Sequence, residues 1–287
     1  MCSSDLIFGE SGGGAKTSCL YALPSAAAYF NKASIESGPG IRMTPRETAA
    51  ETALLLLKEL GLEKSEWRKL HEVPVEKLVA AQVALGRAPG RAAGPPSGGR
   101  GGIGGSSRAG GFGPVVDGVI LPRHPFDPEA PAISKAKPLI VGTNRDEATF
   151  FFMQGRDKEV YHLSEDGLKA RLEKEFGGDA ARVHEAYRKS RPEASPTDLY
   201  VAIATARMMG VGTDLIAARK YAQGGAAVYK YVFTHESDYV IPGTQYRFRA
   251  GHALEIPYKF NNSQGGGGFQ AFTKPESVKA ARNMSEM

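Results

Sequence analysis

The stretch Asp5–Gly14 reads D-L-I-F-G-E-S-G-G-G, and it constrains this chain more than any other. A short apolar run, Leu6-Ile7-Phe8, leads into Gly9-Glu10-Ser11-Gly12-Gly13, and a sequence able to start a helix follows. A G-x-S-x-G pattern between strand and helix marks a turn so tight that the serine sits in strained backbone with its hydroxyl exposed. Side chains two residues to either side would collide with their neighbours, which accounts for a glycine at each flank. The amide after the serine, Gly12 N–H, then points to where charge on an attacked carbonyl oxygen would develop. With 35 glycines and 19 serines in 287 residues, chance alone supplies about 0.3 such matches, so the setting and the downstream partners decide.

Strand and helix signals alternate along the chain, which predicts an α/β fold with a mostly parallel sheet, crossover helices and helical insertions. Helix is expected from Gly13 to Tyr21 and again, briefly, from Ser25 to Lys32, before a strand at Ala33–Glu36. Thr44-Pro45-Arg46-Glu47 reads as a capping box opening a helix that Gly61 closes, with Leu54 to Leu57 and Leu60 as its apolar face. Helical stretches around Trp67 and from Val75 to Leu85 complete an insertion. Pro114–Leu121 reads as a strand or hairpin. Leu139–Gly142 reads as a strand buried on both faces, with Asn144–Glu147 at its carboxyl end, where chemistry belongs in such sheets. Three helical stretches follow, the last from Ser195 to about Ala222 with interruptions at Gly210 and Gly212, then a strand at Ala226–Thr234 and a long polar loop to Gly251-His252.

The formal charge of +5 is concentrated in one place. Arg87, Arg91, Arg100 and Arg108 lie between Gly86 and Gly113 with no acidic residue, leaving +1 for the rest of the chain. That region, residues 87–113, is a Gly-rich stretch without interleaved aromatics, expected to be a flexible loop within a single domain spanning 1–287. It does not read as a nucleic-acid footprint. Cys2 and Cys19 form neither a disulfide framework nor a metal motif, and no apolar run approaches the roughly 20 residues of a spanning helix. No cofactor, metal or membrane partner is expected.

A serine hydroxyl needs a base to take its proton, and the base needs a carboxylate to fix its tautomer. His71, His124, His162 and His184 lie at helix ends, in a proline-bounded stretch or on a polar helix, and read as structural. His235 ends a strand beside Glu236. His252 lies beyond the last strand among small residues that permit close packing. By position the acid is Asp146 or Glu147, and spacing alone does not choose between them.

F-G-E-S-G-G, V-G-T-N-R-D-E-A-T-F-F-F and G-H-A-L-E-I-P-Y-K-F resemble the three triad blocks of the type B carboxylesterases, which include cholinesterases and bacterial p-nitrobenzyl esterases. I-E-S-G-P-G and F-G-P-V-V-D-G-V-I-L-P-R-H-P-F-D-P extend the resemblance over nearly the whole chain. It implies an α/β-hydrolase fold and an ester hydrolase working through an acyl-enzyme. Ser11 would be the nucleophile, Glu147 the acid, His252 the base and Gly12 an oxyanion donor. Phe150, Phe151 and Glu10 would border a small-molecule ester, and Ser37 would stand behind the triad. Gly12 replaces the usual alanine and Ala148 the usual glycine.

Only ten residues precede Ser11, whereas the family's other oxyanion donors come from an upstream Gly-rich loop. The carboxyl end, A-A-R-N-M-S-E-M, resembles a final helix cut short. The expectation is an N-terminally truncated internal fragment, weak or inactive alone, with Leu6–Phe8 an exposed sheet edge. The rival reading is a catalytically silent remnant or a cholinesterase-like binding module. A metal site through His252 and Glu255 lacks a third ligand at suitable spacing, and Glu255 reads more simply as a surface acid or one just behind the triad. Compartment and oligomeric state are not legible.

Overall fold

The computed structural model describes residues 5–87, 111–155, 157–262, 268–270, 272 and 274–286. Most of the expected Gly-rich loop at 87–113 lies outside them. In chain order the elements begin with β1 (Leu6–Glu10), α1 (Gly12–Ala22), β2 (Lys32–Glu36), β3 (Thr44–Pro45), α2 (Arg46–Glu59), α3 (Val75–Arg87), β4 (Val115–Val116) and β5 (Leu139–Asn144). They continue with α4 (Ala148–Gln154), α5 (Glu165–Phe176), α6 (Ala180–Ser190), α7 (Pro196–Thr205), α8 (Val211–Ala222), β6 (Val228–Phe233), β7 (Ser237–Val240), β8 (Arg247–Arg249), α9 (Ile256–Lys259) and α10 (Pro275–Ser285). The chain divides into two compact units, Met1–Val141 with Gly212–Lys230 and Gly142–Val211 with Tyr231–Met287.

The main sheet runs in the order β1-β2-β5-β6. β1 and β2 are parallel, with Leu6 opposite Lys32 and Glu10 opposite Glu36. Tyr21, Phe30, Ile35, Phe126, Leu139, Val141 and Ile216 belong to one buried hydrophobic cluster of the first unit, with Ile7 packed against it. Each such side chain contributes about 1.5–3 kcal/mol on burial. Ile7 turns inward, so its strand neighbours Leu6 and Phe8 face outward and are 48% and 53% exposed. Ile140 is likewise 45% exposed, so β5 is not buried on both faces as its unbroken apolar run suggests.

Local differences from the sequence reading have local causes. Thr44 and Pro45 are drawn into a parallel bridge with Val115 and Val116, so Pro45 itself is the N-cap of α2 and no capping box forms. The bridge also limits the expected strand at Pro114–Leu121 to two residues, because Asp117 Oδ1 then accepts from the Val119, Ile120 and Leu121 amides and turns the chain. Gly61 ends α2 as expected, at φ 68°. That helix buries Thr52 and Leu57, while Leu54 and Leu55 are exposed. Between Ser25 and Lys32 there is only a 3-10 turn at Ala27–Tyr29.

Ser195 caps α7 by accepting from Asp198 N, and Pro196 occupies its first position. Gly210 does not interrupt the run, since a π turn at Ala206–Gly210 joins α7 directly to α8. Gly212 serves close packing instead, because a Cβ there would lie 2.8 Å from Pro39 Cγ. The continuous helix Pro196–Ala222 is 27 residues long and apolar enough, by length and composition, to cross a membrane. Leu199, Val201, Ile203, Met209 and Ile216 on it are buried, as in a core helix. In the second unit the loop expected after β6 contains an antiparallel pair, β7 and β8, which the sequence reading missed.

Candidate active site

In the first unit, Ser11 stands between β1 and α1 at φ 58° and ψ −121°, a conformation that side-chain-bearing residues rarely adopt. Its N–H donates to Glu36 O at 2.8 Å, and its carbonyl accepts from Ala15 N at 3.2 Å. The elbow therefore begins as an extension of the β1–β2 ladder and ends as the first turn of α1. A Cβ on Gly9 would lie 2.3 Å from the backbone of Gly13, which explains the first motif glycine. The second has no such reason, for a Cβ on Gly13 meets nothing within 4 Å. The crowding falls on two other glycines. A Cβ on Gly14 would come within 2.8 Å of Glu36 O, and one on Gly38 would reach 1.9 Å from Ser11 O.

Gly12 is the first residue of α1, whose first turn holds no acidic side chain. Ser37, also at positive φ (48°), is fully buried, and Ser34 Oγ donates to Glu36 Oε1 at 2.7 Å. Glu10, the last residue of β1, is half-buried.

In the second unit, β5 ends at Asn144 and α4 starts at Ala148, so Glu147 is the N-cap at the strand's carboxyl end. Glu147 is fully buried and His252 is 3% exposed. His252 Nδ1 lies 2.6 Å from Glu147 Oε2, and Asn144 N donates to the other oxygen, Oε1, at 2.7 Å. Both carboxylate oxygens are thus engaged, which fixes the acid and, through it, the imidazole ring. The Phe151 ring lies 4.8 Å from that imidazole and the Phe150 ring 5.5 Å. Phe150 in turn meets Phe248 and Phe269 edge-on. Ala148, the substituted glycine position, is fully buried and donates its N–H to Thr205 Oγ1 at 3.1 Å.

Glu255 is not a surface acid. It is fully buried, accepts from Asn144 Nδ2 at 2.5 Å, and its carboxyl is raised above its ordinary value of 4.5 by burial first and then by the Glu147 carboxylate. A carboxyl raised in the folded state holds its proton more tightly there than in the unfolded chain. As pH climbs past 4.5 the unfolded chain ionises first, so Glu255 takes away stability until its folded value is passed. Glu255→Gln has no proton to lose. Urea unfolding of both proteins between about pH 4 and 8 should show the stability of the variant gaining on that of the parent as pH rises. A constant difference would mean that Glu255 is not held as a buried neutral acid.

Of the residues picked from sequence, Glu147, His252, Phe150 and Phe151 come together in the second unit, while Glu10, Ser11, Gly12 and Ser37 surround the elbow in the first. Asp146, the other acid left open by spacing, accepts from both Arg145 Nε and the Ala250 amide. His235 lies 3.0 Å from Ser277 Oγ, and burial lowers its imidazole pKa. His184 pairs with Glu165, and His124 accepts from Met43 N. Among the described residues no group of three or more His, Cys, Asp or Glu side chains could hold a metal ion. Gly14, Gly38 and Asn144 were missed. The signal for them is weak, being a third glycine after the serine, a glycine in the turn after β2, and a polar residue three before the acid.

Known proteins share this arrangement of elements. Para-nitrobenzyl esterase of Bacillus subtilis (strain 168) is 31% identical over 282 residues, covering 97% of this chain and 50% of that protein. Phenmedipham hydrolase of Pseudarthrobacter oxydans is 26% identical, over 89% of this chain and 46% of its own length. The crystal structure of a Geobacillus stearothermophilus carboxylesterase superposes with a TM-score of 0.71 at 28% identity, over 97% of this chain and 52% of that one. The chain spans about half the length of the curated relatives it matches. Its fold is that of the α/β-hydrolases. Since the profile of the carboxylesterase family matches residues 5–287, nearly the whole of it, the chain belongs to that family.

Proposed function

We propose that this chain carries the triad of a serine carboxylester hydrolase, with Ser11 as nucleophile, His252 as general base and Glu147 as the acid that orients it. The observation that carries the reading is the 2.6 Å contact between His252 Nδ1 and Glu147 Oε2, both side chains buried. With Nδ1 so engaged, Nε2 is the ring nitrogen that takes the Ser11 proton as Oγ attacks the ester carbonyl. Charge on the tetrahedral oxygen is met by Gly12 N–H at the start of α1. Collapse expels the alcohol, protonated by the imidazolium, and leaves an acyl-Ser11 ester. Water activated by the same nitrogen then releases the acid. The Phe150 and Phe151 rings beside the base favour an ester with a flat or apolar acyl or alcohol part, and a p-nitrobenzyl ester is a fitting first substrate given the similarity to para-nitrobenzyl esterase. The two units act as parts of one hydrolase domain.

A fluorophosphonate probe tests the nucleophile without requiring turnover. It should label the tryptic peptide ending at Lys16, and labelling should vanish in Ser11→Ala. Label on another serine with Ser11 untouched overturns the assignment, and so does a folded chain that no probe labels, which would favour the catalytically silent reading.

A further inference from the structure

We propose that Asp146 is a positioning residue that holds His252 against Glu147 by gripping the backbone two residues ahead of the histidine. The proposal rests on the reading of Glu147 and His252 as acid and base. The segment carrying the histidine is strained at both ends, with Arg249 at φ 56° and Ala253 at φ 64°. Neither is a glycine, and such conformations cost of order 1–3 kcal/mol each, so this stretch keeps its shape only if its surroundings impose it.

The turn that bears Glu147 does so. Asp146 N donates to Ala250 O at 2.9 Å, and Ala250 N donates back to Asp146 Oδ2 at 3.2 Å. One residue further on, Gly251 O accepts from Asn144 Nδ2 at 2.8 Å. Acid turn and histidine segment are thereby joined by three hydrogen bonds immediately before His252. Asp146 is itself aimed: Arg145 donates to its Oδ2 through both Nε (3.0 Å) and a terminal nitrogen (2.8 Å), and the same guanidinium is bonded to Glu236. Arg249, at the near end, pairs with Asp198 at 2.9 Å, and at the far end Gln270 Nε2 donates to Ala253 O at 2.8 Å.

A 2.6 Å contact between buried groups tolerates little displacement, and a misplacement of about 1 Å in a catalytic group can cost around 100-fold in rate. Asp146 touches neither substrate nor the reacting atoms. It acts through Ala250.

The decisive readout is the His252 Nδ1 proton in the ¹H NMR spectrum of the whole chain, a low-field resonance assigned by its loss in His252→Gln. Asp146→Ala should remove or broaden it while the protein still unfolds cooperatively, and acylation of Ser11 should slow about 100-fold with KM little changed. Asp146→Asn should restore both, since an amide oxygen can still accept from Ala250 N. Should Asp146→Ala not fold, Arg145→Met keeps Asp146 but frees its carboxylate, and the resonance should broaden part of the way. A sharp, unshifted resonance in folded Asp146→Ala, or in Arg145→Met where Asp146→Ala is unfolded, overturns the proposal. So does an Asp146→Asn protein as impaired as Asp146→Ala, which would show that the ion pair of residue 146 with Arg145 matters and the grip on Ala250 does not. The ester-hydrolase reading fails separately, on absence of fluorophosphonate label at Ser11, and the proton resonance still reports in that case.

Discussion

His252→Ala and Glu147→Gln should each cut kcat for a p-nitrophenyl ester by about 10⁴ or more, and combining either with Ser11→Ala should cost little further. In the proposed triad the three groups would act as a unit: without the base Ser11 would keep its proton, and without the carboxylate the imidazole would lose its orientation and the stabilisation of its charged form. Gln is an informative replacement because it preserves the volume of a fully buried side chain while removing the charge that faces Nδ1. His235→Ala provides the contrast. Its ring rests on Tyr258 with centroids 5.0 Å apart and lies 3.0 Å from Ser277 Oγ, so its removal should lower the unfolding temperature and leave the rate per folded molecule within a few-fold of the parent. Where steady turnover is slow, the first burst of p-nitrophenol gives the same ranking. A loss in His235→Ala as deep as that in His252→Ala would dismiss the assignment of the base.

How far the site was legible in the sequence depended on whether each residue's reason is local. Ser11 announces itself because a strand-to-helix turn needs special residues within a few positions, and its φ of 58° is the strain that the motif implies. The strand before Glu147 was equally visible as a continuous apolar run, and Ser164 and Ser195 cap their helices by rules that act over three residues. Choosing Glu147 over Asp146 was a different matter. The two adjacent acids differ only in what the fold brings to them: Asp146 meets the Ala250 amide, 104 positions away, and Glu147 meets His252, 105 positions away. No spacing rule contains that information, and only resemblance to a family supplied it. Glu255 shows the same limit, because a lone acid three residues after a histidine gives no hint of being fully buried. The false capping box at Thr44 is the converse error, where a local signal was overruled by pairing with Val115, far along the chain.

Gly38→Ala should be among the most damaging single-methyl additions in the chain, although Gly38 lies outside the G-x-S-x-G motif. Its backbone does not adopt the left-handed region, so space and not conformation is what requires glycine there. The added Cβ would sit 1.9 Å from Ser11 O and 3.0 Å from Gly14 Cα, both of them backbone atoms of the elbow that cannot swing aside as a side chain can. Overpacking a rigid site costs about 1–3 kcal/mol or more, and relief here would come by pushing the Ser11 peptide away from β2, breaking its hydrogen bond to Glu36 O. Gly13→Ala is the matched control inside the motif. With nothing within 4 Å of the new methyl in a helical first turn, it should be tolerated or stabilise by about 0.5–1 kcal/mol, the usual difference between glycine and alanine in a helix. Thermal unfolding and the rate of fluorophosphonate labelling of Ser11 measure both effects. In Gly38→Ala the label should be slow or absent even in the folded fraction, and in Gly13→Ala it should match the parent. If Gly38→Ala labels at the parental rate, or Gly13→Ala proves the more harmful, then the elbow is not held by its contact with the turn after β2.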